Sequence, residues 1–227
     1  MAAAAGKALY AAISNYNAED TARACAILRE RPTYYRAMKA AERRWGVPVH
    51  VQMATIHQES KFIGNAKTPH QFALGVIPMG RQSSAYGYSQ ALDGTWDEYR
   101  EDQGRRNAKR DRIGDATDFM GWYMTGTYAK LGIPMDDARN QYLAYHEGRS
   151  GYARGSYRDK PWLMDVADRV QSRADMYQTQ LILCDRVAQV LLGHLRQHGI
   201  GEMDRQRFRP GQRAPIVHCL ELDCIDI

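Results

Sequence analysis

A glutamate at the end of an apolar helix can serve as a general acid if its surroundings keep the carboxyl protonated near neutral pH. Glu59, within His57-Gln58-Glu59-Ser60-Lys61, is placed that way. Met53 and Ile56 lie on the inward face of its segment, and Phe62 follows it. A proton given to a leaving oxygen, with support for an oxocarbenium-like centre, is what cleaves a glycosidic bond. Two downstream patches could complete such a site: Ala85-Tyr86-Gly87-Tyr88-Ser89-Gln90 and Ala144-Tyr145-His146-Glu147-Gly148. Many glycosidases pair the acid with a second carboxylate. The one near these patches is Glu147, which reads either as that second carboxylate or as a helix-end residue bonded to its neighbours. In isolation a Glu-Ser pair is more often a solvated helix end. Three patches in this order, on helices, weigh the other way.

The elements that must position these residues are helical nearly throughout. Residues 18–30 carry Ala22, Cys25 and Ala26 at helical spacing, and Pro32 stops that element. Residues 34–45 carry Met38, Ala41 and Trp45, closed by Gly46. Pro48 sits where a first helical turn tolerates proline, and Val51, Ala54 and Ile56 give the helix leading to Glu59 a buried face. Residues 63–86, rich in Gly, Pro, Ser and Gln, read as a long loop holding a short strand near Phe72 to Ile77. Gly87 to Gln90 is expected to start the next helix, through Trp96 and Tyr99. Asp115 reads as the cap of a helix carrying Phe119 and Tyr123 and closed by Gly132. Asp136 reads as the cap of one carrying Ala138, Tyr142 and Tyr145 and ended by Gly148. Pro161 opens the clearest amphipathic helix, with Leu163, Val166, Val170, Ala174, Tyr177, Leu181 and Cys184 at spacings of three and four. Periodicity fades after about His198, and a weakly ordered tail is expected. The fold class read from this pattern is all-α: a helical preface over residues 1–30, a domain over 31–184 and a C-terminal extension over 185–227.

The chain has 227 residues, 44% hydrophobic and 25% charged, values that argue against wholesale disorder. No apolar run approaches the ~18 residues a membrane span needs. The stretch Met1 to Lys7 lacks a basic region followed by an apolar one, so no signal peptide is read there. The net charge of +5 suits an anionic partner but is spread along the chain. The one local basic cluster, Arg205, Arg207, Arg209 and Arg213, has no nucleic-acid-binding signature beside it, and nucleic acid is not expected as a partner. Arg149, Arg154 and Arg158 form either a solvated basic loop or a rim that attracts anions. Neither Cys25, Cys184, Cys219 and Cys224 nor the histidines show zinc spacing, and His57-x-Glu59 is not part of an H-E-x-x-H, so no metal is expected. Cys25 and Cys184 are either buried thiols on apolar helix faces or a bridge tying the domain's ends together, worth about 4–5 kcal/mol in the chain-entropy model.

The order Glu-Ser, Gly-x-x-Gln, Ala-Tyr-x-x-Gly resembles the lytic transglycosylase family over about residues 30–184. The resemblance implies a lysozyme-like helical domain, which in this chain has a long loop after the catalytic helix. It implies peptidoglycan glycan strands as substrate, no metal or organic cofactor, and a periplasmic or envelope location, whose oxidising conditions favour the Cys25–Cys184 bridge. It puts the acid, which later acts as base, on Glu59. Ser60 then contacts the glycan or steadies the acid, Gly87 opens the motif in which Gln90 bonds the sugar, and the Tyr145 hydroxyl reaches the catalytic carboxylate. His146 and Glu147 are counted with the substrate-binding residues. Tyr88-Ser89 stands where the family has Leu-Met, His146 where it has Asn, and the gap from Glu59 to Gln90 is long. Two alternatives stay open. One is a muramidase that uses water, with Glu147 as base. The other is a non-catalytic peptidoglycan-binding scaffold of an envelope machine such as a secretion system, whose proteins would then be partners.

Overall fold

The computed structural model describes residues 30–68, 70–73, 77–81 and 83–197, with the backbone alone described for 70–73, 77–81 and 185–197. The expected preface helix, the tail, Cys25, Cys219 and Cys224 lie outside the described residues. Among the described residues, six helices and one hairpin follow in chain order. They are α1 (Pro32–Trp45), α2 (Val49–Ser60), β1 (His70–Ala73), β2 (Ile77–Arg81), α3 (Asp93–Asp102), α4 (Ile113–Leu131), α5 (Ala138–Ala153) and α6 (Pro161–Gln197). Residues 26–179 form one compact unit; residues 1–25 with 180–227 form a second, in which Leu183 and Cys184 are buried and Cys184 is disulfide-bonded. Its partner lies outside the described residues.

α1 starts on Pro32, whose missing N–H costs nothing in a first turn. It stops at Gly46, which takes the left-handed conformation (φ 76°) and donates its N–H to the Glu42 carbonyl. Pro48 stands just ahead of α2 rather than inside its first turn. α2 differs from the amphipathic pattern expected of it: Val51 through Ile56 are all buried, so the helix is enclosed on every side. A fully enclosed helix must satisfy its own polar side chains. Gln52 does so by donating to the carbonyls of Met38 and Val47 at 3.0 and 2.8 Å, locking the end of α1 to α2. Thr55 donates to Val51 one turn back.

α4 packs mainly on α1 and also on α5. Its approach to α1 needs Gly121, where a Cβ would stand 2.4 Å from the Trp45 ring. α6 buries Leu163, Ala167, Val170 and Ala174 completely, a stripe at helical spacing as the sequence pattern implies. Three boundaries differ by local chemistry. Asp115 lies inside the first turn of α4 and accepts from the Lys109 N–H at 2.9 Å rather than capping. Asp137, not Asp136, caps α5 and accepts from the Asn140 N–H. Gly148 kinks α5 (φ 72°, ψ 155°) without ending it. The Gly-rich loop forms the β1–β2 antiparallel hairpin, and residues 87–90 form a turn ahead of α3 rather than its first turn.

One buried carboxylate ties three segments together. Asp118 of α4 accepts from Arg44 at 2.9 and 3.0 Å, Trp45 Nε1 at 2.9 Å, Tyr99 Oη at 2.6 Å and Arg105 Nη1 at 2.9 Å. Burial pushes this carboxyl up, but bonds from Tyr99 and Trp45 and the charges of Arg44 and Arg105 outweigh it and hold it below the usual 3.8. Removing Asp118 leaves the buried Tyr99 hydroxyl and the Trp45 N–H without their acceptor, whereas Arg44 and Arg105 are more than a third exposed and keep Gln103 and Asp115. Asp118→Ala is therefore expected to lose about 1–3 kcal/mol in urea unfolding at neutral pH. The folded value is the lower one, so Asp118 contributes fully above 3.8 and progressively less in more acid solution, where the gap between parent and variant narrows.

Candidate active site

The backbone at the end of α2 is bent sharply. Lys61 (φ 53°) and Phe62 (φ 61°) both lie in the left-handed region without being glycine. Such conformations are held only where the surroundings over-determine them, and they gather at functional sites. The Lys61 N–H closes the last turn onto the His57 carbonyl at 3.1 Å. Ser60 is buried and donates its hydroxyl to Ile56 at 3.2 Å, so it serves the helix end rather than facing a ligand as donor.

Glu59, in this last turn, is half-buried. Burial pushes its carboxyl up to about 7, against the pull of a hydrogen bond from the Tyr142 hydroxyl and the charge of Lys61. Tyr142 is itself 4% exposed, and burial together with the Glu59 charge raises its phenol, keeping it a donor. The tyrosine expected at the acid was Tyr145. Its hydroxyl goes instead to the Ser89 carbonyl at 2.6 Å, and its ring meets Tyr123 edge-on at 5.1 Å within the aromatic core. Tyr142 and Tyr145 share one face of α5 at i, i+3. That shared face was the available signal for Tyr142, and choosing between the two needed the position of Ser89.

The 87–90 turn is built for close approach. Gly87 has φ 80°, and a Cβ there would stand 2.2 Å from the Arg110 carbonyl oxygen. Gln90 spends both amide hydrogens on the carbonyls of Ala66 and Gly87, at 3.0 and 2.8 Å. Two acceptors on one side fix the amide's orientation, and the group left for a sugar is the Gln90 carbonyl oxygen. Tyr88, which stands where the resembled family has Leu, shares a 2.7 Å hydrogen bond with Tyr34. Rings of His57, Phe62, Tyr34 and Tyr88 follow one another at 6.2, 6.1 and 5.7 Å, an aromatic wall linking the bend after Glu59 to this turn. Gly64 makes room for it, since a Cβ there would lie 2.9 Å from the Tyr88 ring.

Glu147 is engaged elsewhere. Its side chain is 5% exposed and its oxygens take Lys160 Nζ at 2.8 and 2.9 Å, the Ser156 hydroxyl, and His146 Nδ1 at 3.1 Å. Burial would raise this carboxyl, but bonds from Lys160, Ser156 and His146 pull it down to about 2. A carboxylate so stabilised is a poor base near neutral pH. Arg149 is not on a rim either: it donates to the Tyr123 carbonyl at 2.9 Å with its guanidinium 4.3 Å over the Tyr123 ring, whereas Arg154 and Arg158 are exposed. Among the described residues no group of His, Cys, Asp or Glu is arranged to hold a metal ion, and no helix is long and apolar enough to cross a membrane.

An enclosed helix ending in a single desolvated glutamate, within an all-α domain, defines a lysozyme-like protein. The chain belongs to the transglycosylase SLT domain family, whose model matches residues 1–184. This is the lytic transglycosylase type of domain, which acts on peptidoglycan in the cell wall. No curated protein matches the chain.

The raised carboxyl has a stability signature. Because the folded value (about 7) exceeds the ordinary 4.5, the contribution of Glu59 is complete below 4.5 and is lost as pH rises through 7. Glu59→Gln cannot ionise. It should match the parent near pH 4.5 and exceed it above pH 7, by up to about 3 kcal/mol. Urea unfolding of both proteins across this range checks it; parallel pH profiles would show that the carboxyl is not desolvated.

Proposed function

We propose that this protein is a peptidoglycan lytic transglycosylase in which Glu59 is the sole acid and base. The observation that carries the reading is that Glu59, at the end of the enclosed helix α2, keeps a raised carboxyl with the Tyr142 hydroxyl beside it, while the other motif carboxylate, Glu147, is taken up by Lys160, Ser156 and His146. Glu59 enters protonated and gives its proton to the oxygen leaving C1 of N-acetylmuramic acid. The substrate's 2-acetamido oxygen bonds to C1 as the glycosidic bond breaks, giving a cyclic cation. Glu59, now a carboxylate, takes the proton of the C6 hydroxyl. The C6 oxygen bonds to C1, the acetamido oxygen departs, and a 1,6-anhydro ring closes without water. The sequence balances without metal or organic cofactor.

The chain's own residues have defined parts in this scheme. Tyr142 donates to the carboxylate and steadies it between the two steps. Gln90 offers its carbonyl oxygen to a sugar hydroxyl. Lys61 favours the carboxylate form and so keeps the acid from becoming too weak to release its proton. The domain over residues 31–184 carries the whole site, and the reading places the protein in the periplasm or envelope.

Purified sacculi digested with the parent should yield anhydro-muropeptides by mass spectrometry, and Glu59→Gln should reduce their rate at least about 100-fold. Reducing-end products from the parent would mean a hydrolase, and sacculi bound but uncut by both proteins would leave the scaffold. The first step needs protonated Glu59, so kcat/KM should fall as pH rises through about 7. Lys61→Gln and Tyr142→Phe each remove something that favours the carboxylate, so each should move that alkaline limb to higher pH.

A further inference from the structure

Two motif residues, His146 and Glu147, and one large exposed aromatic have no part in the chemistry above. Tyr142 and His146 lie one turn apart on α5, with ring centres 6.4 Å apart. The next ring outward is Trp162, in the first turn of α6, edge-on to His146 at 5.4 Å. Trp162 is 55% exposed, while Leu163 beside it is completely buried. Starting from Glu59, which Tyr142 touches, the row Tyr142, His146, Trp162 leads away from the acid.

Glu147 holds this row in place. It pairs with His146 Nδ1, with Ser156, and with Lys160, whose carbonyl accepts the N–H groups of Leu163 and Met164 at 2.9 and 3.2 Å to begin α6. The kink at Gly148 directly follows. An indole left in water gains nothing for folding. An indole flanked by His146, which a buried carboxylate holds, and carried on an anchored helix start is ordered before any ligand arrives, which lowers the cost of binding. Aromatic faces of this kind serve as rigid contact area with little entropy to lose. Binding to Glu147 uses His146 Nδ1 and leaves Nε2 for a polar group of a ligand.

We propose that Trp162 and His146 form a sugar-binding platform, a subsite removed from the scissile bond, on which a further pyranose of the same glycan strand stacks its C–H face on the indole while His146 meets a hydroxyl or acetamido group. The occupant is a glycan because the row of contacts that starts at Glu59 runs through the buried Tyr142 to His146 and the exposed Trp162. The proposal rests on the glycan-cleaving reading of Glu59. It makes Trp162 and His146 determinants of chain-length preference, and Glu147 a positioning residue that acts through them.

The test uses full-length Glu59→Gln protein and peptide-free N-acetylglucosamine oligomers, a trimer and a hexamer, titrated by calorimetry. The hexamer is expected to bind at least about tenfold more tightly than the trimer, a difference of about 1.4 kcal/mol. Adding Trp162→Ala should abolish most of that advantage while leaving trimer affinity and the thermal midpoint unchanged, and Trp162→Phe should restore part of it. Glu147→Gln should weaken hexamer binding alone. In the active parent, Trp162→Ala should raise KM for long strands with little change in kcat. No length advantage in the parent protein would overturn the platform, as would an advantage that survives Trp162→Ala or an equal loss for trimer and hexamer. Binding is read without turnover, so failure of the chemistry assigned to Glu59 and failure of the platform are separable.

Discussion

A carboxyl group that stays protonated near neutral pH must be kept from water, and the helix that carries it must then be buried as well. This requirement on Glu59 governs the rest of the structure. α2 is enclosed on every side from Val51 to Ile56 and comes partly to the surface only in its last turn, at His57, Gln58 and Glu59. Enclosure would strand polar groups, so Gln52 and Thr55 are satisfied by backbone carbonyls of α1 and α2. The chain must also leave the enclosed helix abruptly if the acid is to sit near an opening. The consecutive left-handed residues Lys61 and Phe62 provide that exit at the cost of local strain.

Asp118, Glu147 and Glu59 are set apart by their partners. Asp118 is given two arginines, a tyrosine and a tryptophan; Glu147 is given a lysine, a serine and a histidine. In both, bonding outweighs burial and the carboxyl is lowered. Glu59 receives one phenol and the charge of an exposed lysine, and burial prevails. The contrast assigns roles by environment rather than by residue type. The two fully paired carboxylates are structural hubs, and the under-paired one has chemistry left to do.

The helices and the αL stops at Gly46 and Gly132 were legible in the sequence because each depends on neighbours within a few residues; the enclosure of α2 on every side was not, since Val51, Ala54 and Ile56 implied a single buried face. What was not legible depends on partners far away in the chain. Nothing around Asp118 announces that Arg44 and Trp45, more than seventy positions earlier, converge on it. Tyr142 and Tyr145 carry the same pattern, and only the arrival of the Ser89 carbonyl at Tyr145 separates them. Gly148 has the composition of a helix stop, yet α5 continues past it. The carbonyls of Ser150 and Gly151 still find N–H donors at Arg154 and Ser156, so a kink costs less than an end.

The departures from the resembled motif are themselves coordinated. Placing Tyr88 where Leu is usual would crowd the loop after α2, and Gly64 removes the side chain it would strike. The phenol then needs a partner, which Tyr34 of α1 supplies. In the same way His146, in place of Asn, gains a ring that Glu147 can hold by one nitrogen and Trp162 can flank. Each substitution comes with the neighbour that makes it tolerable, and both change the surface leading away from Glu59 rather than its desolvation. The acid and its environment can therefore be kept while the walls around the glycan path vary, because desolvation depends on α2 and α5 packing and the walls depend on rings attached from outside.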